Sequence, residues 1–575
     1  MRILLLTHSF NSLTQRLYAE LADRGHELSV EFDIGDSVTE EAVALFHPDV
    51  VLAPFLKRAI PASVWKRVLC LVVHPGIEGD RGPSALDWAI LRGEREWGVT
   101  VLQADAELDA GDIWATATFP MRAATKSSLY RNEVTEAACR AVLTALECVD
   151  TPGFRPRPLD YGRAGVRGRA RAAMKQRDRA IDWNRDDTAA VLRRIRSADG
   201  YPGVRDTVAG LPCFLFDAHQ EGELRGRPGE LLARRGGAVC RATRDGAVWI
   251  GQLRTRGAGS FKLPATQVLG ERIADLPTVS LGPFDSANGP TYRDLWYEEC
   301  DGVGYLHFDF HNGAMATDQC RRLLDAYRQS LTRSTRVLVL MGGADFWSNG
   351  LHLHRIEAAE SPADESWRNI NAMNDLVEAI LRTDDRIVVA ALRGNAGAGG
   401  VFLALAADWI IARDGAVLNP HYRNMGNLYG SEYWTYTLPR RLGERGSREL
   451  MERRLPLLGR QAVELGLIDV SLDADGEAFV AAVRRRAEAL AGEDAFAERV
   501  ELKRRRRRED EDRKPLAVYR QEELARMELN FYGFDPSYHV ARYEFVHRRP
   551  LAWTPLHLAV HRRQGADTRP GRVAQ

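Results

Sequence analysis

At 575 residues the chain is too long for one hydrophobic core and divides, at ordinary domain sizes, into roughly three or four units. Lysine plus arginine and aspartate plus glutamate both total 79, a formal net charge of zero, so no global field favours nucleic acid or an anionic membrane, and any anionic ligand must be held locally. Hydrophobic residues at 45% and charged residues at 27% describe an ordinary globular composition and exclude disorder as the default.

The first residues, Met1 to His8, form a short apolar run with no small-residue cleavage site after it, and no later run reaches spanning length. They read as a first strand, and the chain as cytoplasmic. Seven scattered cysteines (Cys70, Cys139, Cys148, Cys213, Cys240, Cys300, Cys320) show no CxxC spacing, which supports neither a disulfide framework nor a thiolate zinc site.

Strand and helix patterns then alternate: strand Ile3 to Thr7, helix Ser12 to Asp23, strands Glu27 to Phe32, Val50 to Pro54 and Val68 to His74, helix Ala85 to Leu91. Interleaved in this way, they predict a doubly wound, mostly parallel sheet over residues 1–150, with its ligand crevice at the carboxyl ends of the strands. A Pro/Arg/Gly-rich stretch marks a linker over 151–175. From Ile181 a short helix, Thr188 to Arg196, precedes punctuated strands Cys213 to Phe216, Gly237 to Ala242 and Ala247 to Leu253, the pattern of a small β-rich domain over 176–283. A second α/β domain follows over 284–575. Its elements are strand Val303 to Phe308, helix Thr317 to Ser330, strand Val337 to Met341, helix Trp367 to Arg382, strand Ile387 to Leu392, helix Gly399 to Ala407 and strand Trp409 to Ala412, with a helical region beyond about 440. There the basic run Lys503 to Arg508 meets the acidic run Glu509 to Asp512, which reads as a solvated, self-paired helix face and not a nucleic-acid site.

His74 closes the apolar strand Cys70-Leu71-Val72-Val73 and precedes Pro75-Gly76, so its imidazole should project into the crevice. A lone strand-end histidine is more often structural. The run His74-Pro75-Gly76-Ile77-Glu78-Gly79-Asp80-Arg81-Gly82-Pro83 and the later Leu108-Asp109-Ala110-Gly111-Asp112 together resemble the formyltransferases that use 10-formyltetrahydrofolate, including those that formylate methionyl-tRNA. Ile181-Asp182-Trp183 and Ile195 to Gly203 extend the resemblance into that family's carboxyl-terminal β-barrel. It implies a catalytic pair, His74 and Asp109, in which the carboxylate orients the ring and raises its basicity. The family's asparagine two positions before the histidine, a donor to the formyl carbonyl, is Val72 here. Losing one such donor costs about 10²–10³ in rate. A replacement donor, a stronger nucleophile such as a thiolate, or a half that only binds folate all remain open.

Gly342 to Leu353 follows a strand, and Gly394 to Asp408 places glycines at the start of an apolar helix. A Gly-rich helix start is weak alone, but the two in this order resemble the crotonase (enoyl-CoA hydratase/isomerase) superfamily. That resemblance implies an oxyanion hole from the backbone N–H groups of Leu351 and Gly399. The superfamily's two hydratase glutamates are replaced by Phe402 and His421, so ordinary hydration is not expected. The Tyr/Asn/Gly-rich stretch Asn419 to Arg440 offers Glu432 as the proton-transfer group with Tyr422 as its partner; surface pairing and packing are the competing readings. His352 and His354 are spaced like metal ligands, yet no third ligand is evident, and no metal is expected.

The three units in this order, with Gly-Ala-Asp-Phe-Trp-Ser-Asn-Gly and Asn-Met-Gly-Asn-Leu-Tyr-Gly-Ser-Glu, resemble the HypX/HoxX family of hydrogenase maturation factors over nearly the whole chain. The resemblance implies a multidomain α/β protein: a doubly wound formyltransferase-like domain, a small β-barrel domain and a crotonase-like ββα spiral domain with a helical C-terminus. It implies 10-formyltetrahydrofolate and coenzyme A as ligands, contacted by Gln15, Gly76, Arg81, Gly82, Asn349, Gly350 and Gly400. The implied chemistry is formyl transfer to coenzyme A, then release of carbon monoxide for the iron of [NiFe]-hydrogenase. The implied partners are the maturation machinery or the hydrogenase large subunit. The residues alone leave two rivals: a hydrolase or transferase making formate, and a non-catalytic scaffold that binds both ligands.

Overall fold

The computed structural model describes residues 1–564. Its first sheet has six strands, β1 (Arg2–Thr7), β2 (Glu27–Phe32), β3 (Val50–Phe55), β4 (Leu69–His74), β5 (Glu96–Gln103) and β6 (Ile113–Pro120), in the order β2-β1-β3-β4-β5-β6. The pairs from β2 to β4 are parallel; β5 and β6 are antiparallel. Almost every residue of β1 and β3 is buried, the signature of strands covered on both faces. The helix Ser12–Asp23 starts where the Asn11 side chain accepts the Thr14 N–H at 3.0 Å, a standard N-cap. Helices Asp36–Phe46 and Thr135–Val149 and strands β5 and β6 are additional to the expected elements. In β5, six consecutive residues are buried.

Residues 151–175 are not a loose tether. Gly168 N donates to Glu78 O at 3.1 Å, Arg81 N to Arg169 O at 3.2 Å and Arg171 N to Arg81 O at 2.9 Å, so this segment runs beside the loop after His74.

The second unit corrects one expectation. Its strands Val204–Val208, Leu211–Glu221, Ala247–Thr255, Ala238–Ala242 and Leu231–Arg235 pair in that order, with Leu263–Pro264 against Ala247–Thr255. Among the described residues the two end strands do not pair, so the sheet is open and not a closed barrel. Each end strand has 5 residues, and the helix Thr188–Ala198 packs Val191 and Ile195 on one face of the sheet.

The third unit has two sheets. One carries Leu295–Cys300, Val303–Phe308, Val337–Met341, Ile387–Leu392, Trp409–Arg413 and Val470–Leu472, parallel after the first hairpin; the other carries the short strands Phe346–Ser348, Asn395–Gly397, Val417–Asn419 and Leu457–Leu458. A long strand, a short strand and a helix repeat as a spiral, and the short strands bring the loops at Gly350 and Gly399 side by side. The basic and acidic runs lie on the helix Phe496–Arg513, where Lys503 pairs with Asp408 at 2.5 Å and Arg504 with Glu501 at 2.9 Å, while Arg507 pairs with Glu511.

The units are docked by buried polar contacts. Arg16 of the first unit donates to Glu136 at 2.7 Å and to the Gly415 carbonyl of the third at 2.8 Å, and Arg413 reaches the same Glu136 at 3.0 Å. Edge strand β2 is covered by a far segment of the chain: Phe32 N donates to Thr554 Oγ1 at 2.8 Å, Val30 N to Leu558 O at 3.0 Å, and His561 Nε2 lies 3.1 Å from Glu31 Oε2. No helix among the described residues is long and apolar enough to cross a membrane.

Candidate functional site

Two cavities face one another across the docked units. The first, about 1250 Å³, is lined by Val72, His74, Arg81, Gly82 and Asp109. The second, about 1320 Å³, is lined by Asn349, Leu351, Gly399, His421, Tyr422 and Glu432. They share Asn11, Lys57, Arg58, Ser127, Arg131 and Gly200 in their walls.

In the first cavity, His74 ends β4 and is buried. Its Nδ1 lies 3.5 Å from Asp109 Oδ1 and its Nε2 lies 3.3 Å from Asp80 Oδ1. Asp109 sits in the left-handed region (φ +57) and its Oδ2 accepts the Gly82 N–H at 3.1 Å. A Cβ on Gly76 would stand 2.5 Å from His74 Nε2, so this glycine permits the ring and its carboxylate to sit under the loop. Arg81 is turned onto Glu107 and the Leu108 carbonyl. Val72 brings an apolar wall where the formyltransferase resemblance leads one to expect an amide.

In the second cavity, the backbone N–H groups of Leu351 and Gly399 donate to no protein acceptor among the described residues. The loops touch: a Cβ on Gly350 would lie 3.3 Å from Gly399 N. Ala398, just before the helix Gly399–Leu405, has φ +47 and ψ −127, a strained backbone that aims the first helical N–H outward and persists only where its surroundings hold it. Unsatisfied main-chain donors fixed in this way suit an oxygen that gains charge.

Glu432 is buried beside them. Tyr422 Oη donates to Glu432 Oε2 at 2.5 Å and Ser431 N donates to the same atom at 3.1 Å. A Cβ on Gly399 would lie 2.2 Å from Glu432 Oε1, so the carboxylate occupies the space a larger residue would need. Burial pushes the Glu432 carboxyl up to about 7, a rise opposed by the Tyr422 hydroxyl and reinforced by nearby Glu523. The Tyr422 phenol is held well above its ordinary value by burial and by Glu432; its ring stacks on Phe402 with centroids 5.2 Å apart.

Glu432 and Tyr433 are consecutive left-handed residues, φ +61 and +58. Residues far away hold them there: Asn374 Oδ1 accepts Glu432 N–H at 2.9 Å, and Glu523 accepts Tyr433 N–H and Thr435 N–H, both at 2.9 Å. Burial also pushes the Glu523 carboxyl up to about 7. Asp80, Asn374 and Glu523 escape the sequence reading. Asp80 stands in the quoted motif, six positions from His74, but inside a loop no periodicity connects them.

Four expected ligand-contacting residues line neither cavity. Gln15 donates to Phe10 O at 2.8 Å and accepts from Asn419 at 2.9 Å. Gly400 packs on Ser348 O, which an added Cβ would meet at 2.0 Å. Gly76 and Gly350 act through close approach, as above. His421 is buried, with burial pulling its ring down to about 4 and both nitrogens lacking a hydrogen-bond partner among the described residues. His352 accepts the Arg355 N–H through Nδ1 at 3.2 Å, capping the helix Leu353–Glu357, and is pulled down to about 3 by burial.

Comparison with known proteins matches three family profiles: Formyl transferase over residues 26–146, Formyl transferase, C-terminal domain over 173–266, and Enoyl-CoA hydratase/isomerase over 301–554. The hydrogenase maturation factor HoxX of Bradyrhizobium diazoefficiens is 55% identical over 99% of this chain and 99% of its own length. A methionyl-tRNA formyltransferase of Roseiflexus castenholzii is 29% identical over 34% of this chain and 60% of its own. The crystal structure of HypX from Aquifex aeolicus in complex with tetrahydrofolic acid superposes with a TM-score of 0.95 at 50% identity, covering 98% of this chain and 99% of that one.

Proposed function

Because the chain belongs to the HypX/HoxX family of hydrogenase maturation factors, we propose that it makes carbon monoxide in two steps. The formyl group of 10-formyltetrahydrofolate passes to the thiol of coenzyme A, and the resulting formyl-CoA is split into carbon monoxide and coenzyme A. The observation that carries this reading is the shared wall of the two cavities, one holding His74 and Asp109 and the other Leu351, Gly399 and Glu432. A flexible pantetheine arm could reach both centres without releasing a hydrolysable thioester to water. The tetrahydrofolic acid bound by the Aquifex aeolicus relative supports the folate half. The enoyl-CoA hydratase/isomerase match and the cations Lys57, Arg58, Arg131, Lys262, Arg548 and Arg549 around the second cavity support a phosphate-bearing thiol there.

In the first step His74 takes the thiol proton, sulfur bonds to the formyl carbon, the carbon–N10 bond breaks and the proton passes to N10. Sulfur is a stronger nucleophile than the amine used by tRNA formyltransferases, which suits a site with Val72 in place of an amide donor. In the second step the Leu351 and Gly399 amides hold the formyl oxygen while Glu432 removes the formyl proton; the carbon–sulfur bond breaks, carbon monoxide leaves and Glu432 returns the proton to sulfur. The gas would go to the iron of [NiFe]-hydrogenase, with the maturation machinery or the hydrogenase large subunit as the receiving partner in the cytoplasm.

Incubating the protein with 10-formyltetrahydrofolate and coenzyme A, with reduced haemoglobin trapping the gas, should give the carbon monoxide adduct. Glu432→Gln should abolish it while folate binding persists. Formate in place of gas would turn the assignment into a hydrolase, and undiminished gas from the variant would remove Glu432 from the chemistry.

A further inference from the structure

His74 is flanked by two carboxylates that are not alike. Asp109 faces the first cavity, lies 3.5 Å from Nδ1 and is bonded to the Gly82 N–H. Asp80 lies beneath the ring with a fully buried side chain, 3.3 Å from Nε2, and does not line the cavity. Behind Asp80 comes Arg171, its Nε 3.6 Å from Asp80 Oδ2, delivered by the segment that joins the first two units. Asp80 Oδ2 and Arg171 Nε and Nη1 are buried and have no closer partner among the described residues, so the two charges answer each other.

We propose that Asp80, backed by Arg171, is the positioning residue that fixes the His74 tautomer, and that Asp109 is the group that meets the proton His74 takes up. A carboxylate oxygen accepts, and Asp80 is hydrogen-bonded to Nε2 whereas Asp109, 3.5 Å from Nδ1, makes no hydrogen bond to the ring, which places the ring proton on Nε2 and leaves the lone pair on Nδ1, on the Asp109 side. Proton uptake at Nδ1 then creates an N–H⁺ that the Asp109 carboxylate faces. The same division, one buried carboxylate for orientation and one open ring nitrogen for the proton, serves the serine-protease triad. This inference rests on His74 being the base of the formyl-transfer step, and it adds the residue that makes Nδ1 the working nitrogen.

The test needs no variant to begin. With the full chain carrying ¹⁵N-histidine, the His74 ring, identified by its loss in His74→Gln, should show a protonated Nε2 and a bare Nδ1 when neutral; the opposite tautomer overturns the proposal. Asp80→Asn should mix or invert the tautomers and lower kcat for formyl transfer to coenzyme A by about 10²–10⁴-fold, with KM for both substrates within about twofold. Asp80→Glu should recover part of that loss, and Asp109→Asn should leave the tautomer unchanged. An unchanged kcat in Asp80→Asn, or folate binding and kcat lost together with the tautomer intact, refutes a positioning role. If the wild-type chain transfers no formyl group to coenzyme A, the transfer reading fails, while the tautomer still decides what Asp80 does.

Discussion

Glu432 carries opposite demands on one atom pair. Burial lifts its carboxyl from 4.5 to about 7, which brings it into the range where a carboxylate can both take and return a proton near neutrality. As the base for the formyl proton it must be ionised, so gas release should climb as pH rises through about 7 and level off above. Stability should move the other way. A folded-state value raised above the unfolded one means that the folded chain binds more protons, so the contribution of Glu432 is complete below about pH 4.5 and is lost as pH rises through about 7. Glu523, also lifted to about 7, adds in the same sense. A rate that falls across the interval in which thermal melts show the protein loosening would recast Glu432 as an acid. Glu432 and Tyr422 could be marked from the sequence because polar residues crowd a glycine-rich loop. Their supports could not, since Asn374 and Glu523 stand 58 and 90 positions from the backbone they hold.

Among elements, the start of the helix Gly399–Leu405 leaves no room for a side chain. A methyl group at Gly399 would meet Glu432 Oε1 at 2.2 Å, and its backbone would accept alanine, so the clash falls on the carboxylate. Gly399→Ala should therefore cut gas release by at least about 10²-fold, on the scale of losing one oxyanion donor, and leave formyl-CoA formation standing; equal loss of both steps would show that the two centres are not separable. The boundaries of Val303–Phe308, Val337–Met341 and Ile387–Leu392 were readable directly, because buried parallel strands are short unbroken apolar runs bounded by turn residues. Strands β5 and β6 were not, and with them went the fact that β4 has an antiparallel neighbour. The closed barrel was an inheritance from resemblance: nothing in the spacing of Leu211–Glu221, Ala238–Ala242 and Ala247–Thr255 says whether the end strands meet.

At the scale of the whole molecule the shared cavity wall exists only while the outer units stay docked. Arg16, nearly buried, serves Glu20, Glu136 and the Gly415 carbonyl at once, and an added Cβ at Gly415 would strike its guanidinium. Removing it leaves Glu20 to Arg460 and Glu136 to Arg413, so what is lost is the buried guanidinium and its bond to the third unit. Arg16→Ala should cost about 1–3 kcal/mol and split the calorimetric transition of the wild type into two; a single transition at an unchanged temperature would mean that docking rests on apolar contacts instead. The covering of β2 has a further consequence. Thr554 closes the Phe32 amide across 522 positions of chain, so a nascent polypeptide emerging from the ribosome carries an uncapped sheet margin until those positions have been synthesised. Such a margin invites strand exchange with other nascent chains until the covering segment arrives.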